Sequence, residues 1–331
     1  MAAERPPRLG FARLEPKILV TDSLFIFDEH IEQLGRAGYE IERLDKPEAN
    51  EAELCEVVKG KVGYILGGIE QVTDKVIESA DELQVIAFTG ADWARFIPGH
   101  ALATKRGIAI ANAPGANSAA VAEYTITLLL MMLRRVLELG NTGHKAFLTT
   151  SSLSEVQIGI VGLGRIGQKV AKLLKGLGAQ NVVYWSRERK ENLEQELGIK
   201  YVSLEELMAA SDVISNHVSS EAGTLLGAEM LSSIKQDVLI INTGADNTFD
   251  YDALYQLLEQ GKARAALDDK ITHSGLASLD PATYFHSNEH TGYNTHAANK
   301  LGSDMATASI LNLLATGADQ NLVNPEFKAQ K

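Results

Sequence analysis

Residues 158–178 read IGIVGLGRIGQKVAKLLKGLG, and this stretch decides the fold. An apolar run ends at a turn with the spacing Gly-x-Gly-x-x-Gly, and an amphipathic helical pattern begins directly after the turn. A second apolar run, VVYW at residues 182–185, follows the helix. The order strand, glycine turn, helix, strand predicts a βαβ unit of a parallel sheet.

The three glycines of the turn have separate physical roles. Gly162 permits the tight turn, Gly164 lets the backbone approach a pyrophosphate, and Gly167 allows close packing of helix against strand. The free N–H groups of Arg165 and Ile166, at the positive end of the helix dipole, then face the phosphates. Strand, turn and helix together predict a dinucleotide-binding Rossmann unit.

The end of the second strand bears on the choice between NAD(H) and NADP(H). An Asp or Glu at this place would accept a hydrogen bond from the ribose 2′-hydroxyl, but the chain has Ser186 and Arg187. An arginine pairs well with a 2′-phosphate, so the sequence favours NADP(H). The alternative is that Arg187 lies across the adenine and Glu188 binds the ribose, which leaves NAD(H) possible.

The whole chain shows the same alternation of strands and helices. Its 331 residues are 45% hydrophobic and 22% charged, which suits two globular domains. One series of strands and helices ends near residue 112. A long apolar helix at about residues 118–139 opens a second series, and a last helix at about 297–314 closes the chain. We therefore expect an α/β protein with two Rossmann-like or flavodoxin-like domains, each with a parallel sheet.

Composition excludes several classes of function. The net charge of −12, without a basic stripe, argues against nucleic acid and against an anionic membrane as partners. The single cysteine cannot form an internal disulfide, and no run approaches the roughly 20 apolar residues of a membrane span. With no signal-peptide pattern at the N-terminus either, we expect a cytoplasmic protein. The chain shows neither a metal-ligand spacing nor a Gly-x-Ser-x-Gly elbow, so we expect no metal site and no hydrolase.

Five segments, in order, resemble the D-2-hydroxyacid dehydrogenase family, and the resemblance covers about residues 17–315. The segments are RGIAIANAPGANSAAVAEYTITLLLMMLRR (106–135), the glycine turn, NHVSSEAGTLLGAEMLSSIKQDVLIINTG (216–244), ALDD (266–269) and NEHTGYNTHAA (288–298). The resemblance implies a discontinuous substrate domain, residues 1–113 plus 297–331, and a dinucleotide domain, residues 114–296, with the cofactor cleft between them. It also implies a homodimer formed through the dinucleotide domain.

The same resemblance assigns roles to single residues. It implies that His290 is the acid/base that exchanges a proton with the 2-oxygen of a small-molecule substrate while hydride moves at carbon. It also implies cofactor contacts from His217, Thr243, Asp268 and Gly292.

The chain departs from the family at the other two catalytic positions. Ala245 stands where the family has the arginine that binds and polarises a 2-oxo acid. His273 stands where the family has the glutamate that pairs with the histidine, and Asp269 or Asp280 are alternative partners. The loop after residues 89–92 is bulkier than in the family, with Trp93, Arg95 and Phe96. Candidates for the missing substrate contact are Arg95, Lys270, His273 and His296.

Two hypotheses about function follow. The first is an NAD(P)-dependent oxidoreductase that reduces a carbonyl compound, similar to a 2-oxo acid or larger, at an altered substrate site with His290 as acid/base. The second is a catalytically silent NAD(P)H-binding sensor or interaction protein. The retained His290 favours the enzyme, and the loss of two catalytic groups favours the silent protein.

Overall fold

A computed structural model of the chain describes residues 15–21, 26–46, 49–140, 148–268, 273–287 and 289–330. The chain divides into two compact units. One is drawn from residues up to Ala116 and from Asn299 onward, and the other is Asn117–Ala298. Each unit is an α/β fold with a parallel sheet, which confirms the predicted fold class.

The first unit holds five strands and the helices around them, within the described residues. Three consecutive residues of the first strand, Ile18, Leu19 and Val20, are fully buried, as expected where both faces of a parallel sheet are covered. The elements are β1 (Lys17–Thr21), α1 (Asp28–Arg36), β2 (Glu40–Leu44), α2 (Glu51–Val57), β3 (Lys61–Leu66), α3 (Asp74–Ser79), β4 (Val85–Phe88), α4 (Trp93–Phe96), α5 (His100–Lys105) and β5 (Ala109–Ala111). The strand order is β2-β1-β3-β4-β5, the flavodoxin-like order.

The second unit carries the glycine turn in a larger sheet. Its elements are α6 (Ser118–Leu133), α7 (Val136–Leu139), β6 (Gln157–Val161), α8 (Arg165–Gly176), β7 (Asn181–Trp185), α9 (Glu191–Leu197), β8 (Lys200–Tyr201), α10 (Leu204–Ala210), β9 (Val213–Asn216), α11 (Ala228–Ser232), β10 (Val238–Asn242), α12 (Tyr251–Glu259), β11 (Ala263–Leu267), α13 (Ser274–Ala277) and β12 (Tyr284–His286). The last helix, α14 (His296–Thr316), continues into the first unit.

The strand order of the second sheet marks where a ligand binds. The order is β12-β11-β10-β9-β6-β7-β8, so the chain direction across the sheet reverses at β6, which pairs with both β7 and β9. Open parallel sheets bind their ligands outside the carboxyl ends of the strands at such a reversal. In this sheet the two carboxyl ends are Val161 and Asn216.

Two details of the sequence reading were wrong. The predicted helix over residues 118–139 is two helices, because Arg135 adopts a left-handed conformation with φ 52°. At the end of α6, the carbonyl of Met132 accepts a hydrogen bond of 2.6 Å from the Arg264 guanidinium and one of 3.2 Å from the N–H of Arg135. The short edge strands β8 and β12 were not predicted.

Candidate active site

The turn after β6 shows why the fold needs two of the three glycines. Gly162 has φ +96°, and a Cβ on it would lie 3.0 Å from the carbonyl oxygen of His217. A Cβ on Gly167 would lie only 2.1 Å from the carbonyl oxygen of Gly162. These glycines let the helix, the turn and the neighbouring strand end approach one another closely.

Gly164 is different, because packing gives no reason for it. A Cβ on Gly164 would meet no atom of the described residues within 4 Å, and Gly164 caps α8 in an extended conformation without a side-chain hydrogen bond. The first turn of α8, which begins with exposed Arg165 and half-buried Ile166, carries no acidic residue. The N–H groups of this turn therefore meet the requirements for binding an anion, and the bare backbone at Gly164 leaves room for a pyrophosphate.

At the end of β7, Arg187 and Arg189 have different surroundings. Arg189 is engaged by Glu194 through two hydrogen bonds of 2.8 and 2.9 Å, which raise the pKa of its guanidinium. Arg187 is exposed and has no hydrogen bond or ion pair with the part of the chain that the structure describes. Buried Ser186 donates a hydrogen bond of 2.5 Å to the carbonyl of Glu188, which fixes the backbone around Arg187.

His217 follows β9 and faces the same turn. Its Nε2 lies 2.8 Å from the hydroxyl of Ser215, whereas its buried Nδ1 has no hydrogen-bond partner among the described residues. Burial lowers the pKa of His217 to about 3, so the ring is neutral at physiological pH. The backbone of His217 beside Gly162 and the open space at Gly164 fit the binding of a dinucleotide at this strand reversal.

The ends of β9 and β10 are joined by a buried network that sequence reasoning missed. Asn216 donates hydrogen bonds of 2.9 Å to the side chains of both Asn242 and Thr248, and Asn242 accepts a further one, of 3.0 Å, from the N–H of Gly244. Two asparagines at the carboxyl ends of adjacent strands were the signal available in the sequence. The network fixes the loop that carries Ala245.

The loop after β10 contains two residues singled out from the sequence. Ala245 is half-buried and has ordinary extended backbone angles. The hydroxyl of Thr243 lies 2.7 Å from that of Thr125, whose own proton is donated to the carbonyl of Val121. Thr243 is therefore the donor in the pair, and its oxygen keeps lone pairs for a ligand.

Asp268 holds the segment that carries His290. One carboxylate oxygen accepts hydrogen bonds from the N–H and hydroxyl of Thr291, at 2.9 and 3.1 Å, and the other accepts one of 2.8 Å from the N–H of Gly292. Asp268 is buried and His290 is half-buried. The hydroxyl of Tyr124, another residue that the sequence did not single out, also contacts this segment.

The other candidates for substrate or histidine contacts are spread over the chain. His273 caps α13 through Nδ1 and lies 3.1 Å from Asp252 through Nε2, so its ring serves local structure. Asp280 accepts a hydrogen bond from the N–H of Ala282, and exposed Arg95 lies over the ring of Phe96. His296 begins α14 and is exposed. Asp269 and Lys270 lie outside the described residues.

Comparison with known proteins identifies the family. Residues 126–298, more than half of the chain, match the profile of the D-isomer specific 2-hydroxyacid dehydrogenase NAD-binding domain. The chain belongs to this family. It is 30% identical to the glyoxylate reductase of Aeropyrum pernix over 94% of this chain and 96% of that protein. It is also 30% identical to the D-3-phosphoglycerate dehydrogenase of Methanocaldococcus jannaschii, over 95% of this chain and 61% of that protein.

A solved structure shares the fold of the chain. The crystal structure of the protein TT0316 from Thermus thermophilus is 30% identical and superposes with a TM-score of 0.80 over 93% of this chain and 99% of that one. The chain is thus an oxidoreductase of the 2-hydroxyacid dehydrogenase family with a nicotinamide-binding Rossmann fold. Among the residues that the structure describes, no helix is both long and apolar enough to cross a membrane.

Proposed function

We propose that this chain is a reductase that uses His290 as a proton donor to reduce the carbonyl of a 2-oxo acid or a larger oxo compound. The observation that supports this most strongly is the anchoring of the His290 segment by Asp268, in the unit that also contains the glycine turn. The hydrogen bonds from Thr291 and Gly292 to Asp268 fix the backbone next to His290, as proton transfer from a defined position requires. The substrate role falls to residues 1–113 plus 297–331, and the dinucleotide role to residues 114–296.

In this mechanism each group has one task. The reduced nicotinamide, when bound, supplies a hydride to the carbonyl carbon. The imidazole of His290 gives a proton to the carbonyl oxygen as negative charge develops there. The helix α8 N-terminus and Gly164 hold the pyrophosphate, and His217, Thr243 and Gly292 line the remainder of the cofactor site.

Ala245 changes the substrate. A methyl group neither binds a carboxylate nor polarises a carbonyl, and the neighbouring Asp246 disfavours an anion at this place. The substrate therefore differs from a plain small 2-oxo acid, or has its carboxylate bound by another cation of the chain.

The test is turnover. Purified protein is mixed with NADPH or NADH and a panel of 2-oxo acids, aldehydes and larger oxo compounds, and the absorbance of the reduced nicotinamide is followed. We expect oxidation of the cofactor with at least one compound and its loss in His290→Ala. Tight binding of NADPH without turnover of any compound would favour a silent dinucleotide-binding protein instead.

We further propose that the cofactor is NADP(H), because Arg187 is exposed and has no hydrogen bond or ion pair with the described residues. A charge-assisted hydrogen bond is worth about 1.5–3 kcal/mol, so Arg187→Ala should raise the Kd for NADPH about 10- to 150-fold and leave that for NADH nearly unchanged. The matched control is Glu188→Ala. If Glu188→Ala raises the Kd for NADH and Arg187→Ala changes neither Kd, then Glu188 binds the ribose and the cofactor is NAD(H).

We propose that the chain forms a homodimer through the α6–α7 face of the second unit. Val136 is 51% exposed and Leu139 is 40% exposed, next to half-buried Leu130 and Met131. Apolar side chains exposed together mark a surface that another molecule covers. Light scattering should give the mass of two chains for the natural protein and of one chain for Val136→Asp.

A further inference from the structure

Tyr124 lies on α6, far along the chain from His290, yet it contacts the His290 segment on both sides of the histidine. Its hydroxyl oxygen lies 2.9 Å from the hydroxyl of Ser287 and 3.4 Å from that of Thr291. Its ring is so near the backbone that a Cβ on Gly292 would lie 2.8 Å from the Tyr124 Cδ1 atom. One side chain therefore touches residues 287, 291 and 292.

Asp268 and Tyr124 hold the His290 segment at different points. Asp268 holds the backbone after His290, through the N–H groups of Thr291 and Gly292. Tyr124 also reaches Ser287, which comes before His290. Ser287 is only 6% exposed. The hydroxyl pair therefore fixes the point at which the segment leaves β12.

The helix that carries Tyr124 is held in place by its buried side chains. The neighbours Val121, Ala122 and Thr125 are buried in the second unit, and the hydroxyl of Thr125 is bonded to the carbonyl of Val121. A side chain on such a helix holds a fixed position, whereas a loop held at one end only rotates about that end. Proton transfer needs the donor within a few tenths of an ångström and about 10–20° of its productive geometry.

We propose that Tyr124 is a positioning residue, which holds Ser287 before His290 and Thr291 after it, adds to the anchoring by Asp268, and so sets the orientation of the His290 ring. This inference rests on the proposed role of His290. Tyr124 acts through Ser287 and Thr291, and the proton that reaches the substrate comes from His290.

The first test is kinetic. Tyr124→Phe removes the hydroxyl and keeps the ring against Gly292, so the fold is preserved. Since a misplacement of about 1 Å costs up to about 100-fold in rate, we expect kcat to fall about 10- to 100-fold while the Kd for NADPH stays within about twofold. Ser287→Ala should lower kcat similarly, and the double variant should be no slower than the slower single variant. The matched control is Tyr255→Phe, which removes an exposed hydroxyl bonded to Glu259 on α12 and should leave kcat unchanged.

The second test does not depend on turnover. The Cε1–H signal of His290 in a proton–carbon NMR spectrum is assigned by its loss in His290→Ala, and it should shift in Tyr124→Phe but not in Tyr255→Phe. If the natural protein reduces no compound, the proposed function fails and this signal alone decides the role of Tyr124. An unmoved His290 signal, or an unchanged kcat in an active protein, would overturn the inference.

Discussion

Gly164→Ala should separate binding of the dinucleotide from stability of the fold. Within the part of the chain that the structure describes, the added methyl group would meet no atom within 4 Å, and Gly164 has φ −78°, a value open to alanine. The only steric conflict that we expect is with a pyrophosphate seated against the backbone. Because alanine is a poorer N-cap than glycine, we expect the free energy of unfolding to fall, by no more than about 1 kcal/mol.

The effect on binding follows from the cost of forcing one methyl group into a well-packed contact. That cost is about 1–3 kcal/mol, which corresponds to a Kd about 5- to 150-fold higher. The Kd for NADPH and the Kd for NADH should rise by the same factor, because both cofactors contain the pyrophosphate. Fluorescence titration of each cofactor gives the two Kd values, and denaturant unfolding gives the free energy.

Gly167→Ala is the contrasting variant. Its Cβ would start 2.1 Å from the carbonyl oxygen of Gly162, whereas real Cβ contacts stay beyond 3.0 Å, so backbone must move by about 0.9 Å. We expect a loss of roughly 1–3 kcal/mol in the free energy of unfolding, in addition to weaker binding. If Gly164→Ala binds both cofactors as tightly as the natural protein does, the assignment of Gly164 to the pyrophosphate is refuted.

Three further predictions concern other parts of the chain. The pKa of His217 is about 3 in the folded chain and about 6.5 in the unfolded chain, so the free energy of unfolding should fall as the pH drops from 6.5 to 3, by at most about 1.4 kcal/mol per pH unit. Denaturant unfolding at pH 5 and at pH 7 should therefore give a smaller difference in free energy for His217→Gln than for the natural protein. Gly292→Ala would place a Cβ 2.8 Å from a carboxylate oxygen of Asp268, so kcat should fall at least about tenfold, and an unchanged kcat would contradict the anchoring of this loop. Asp304→Ala removes the acceptor 2.8 Å from Nε2 of buried His30 and should cost about 1–3 kcal/mol in thermal or denaturant unfolding, with no change in cofactor Kd.

Local patterns predicted the larger elements well and the edges poorly. The apolar runs of the central strands are long and flanked by turns, so β6, β9 and β10 could be identified without the structure. The short strands β8 and β12 are edge strands of two and three residues, whose pairing depends on a neighbour rather than on their own composition. The break at Arg135 was likewise not visible in the sequence, because the left-handed backbone of Arg135 (φ 52°) belongs to a non-glycine residue.

The sequence by itself determined the α/β class and the glycine turn, because the steric requirements of the turn are set within six consecutive residues. It also predicts that Ala245 stands where the family has an arginine, a prediction that rests on the matching residues around it. Tertiary structure alone decided which hydroxyls and carboxylates contact the residues on either side of His290. Tyr124 and Ser287 are 163 positions apart, and their contact depends on how α6 packs against the sheet. Spacing along a chain carries information about neighbours on one element, whereas contacts between elements are set by the packing of their buried faces.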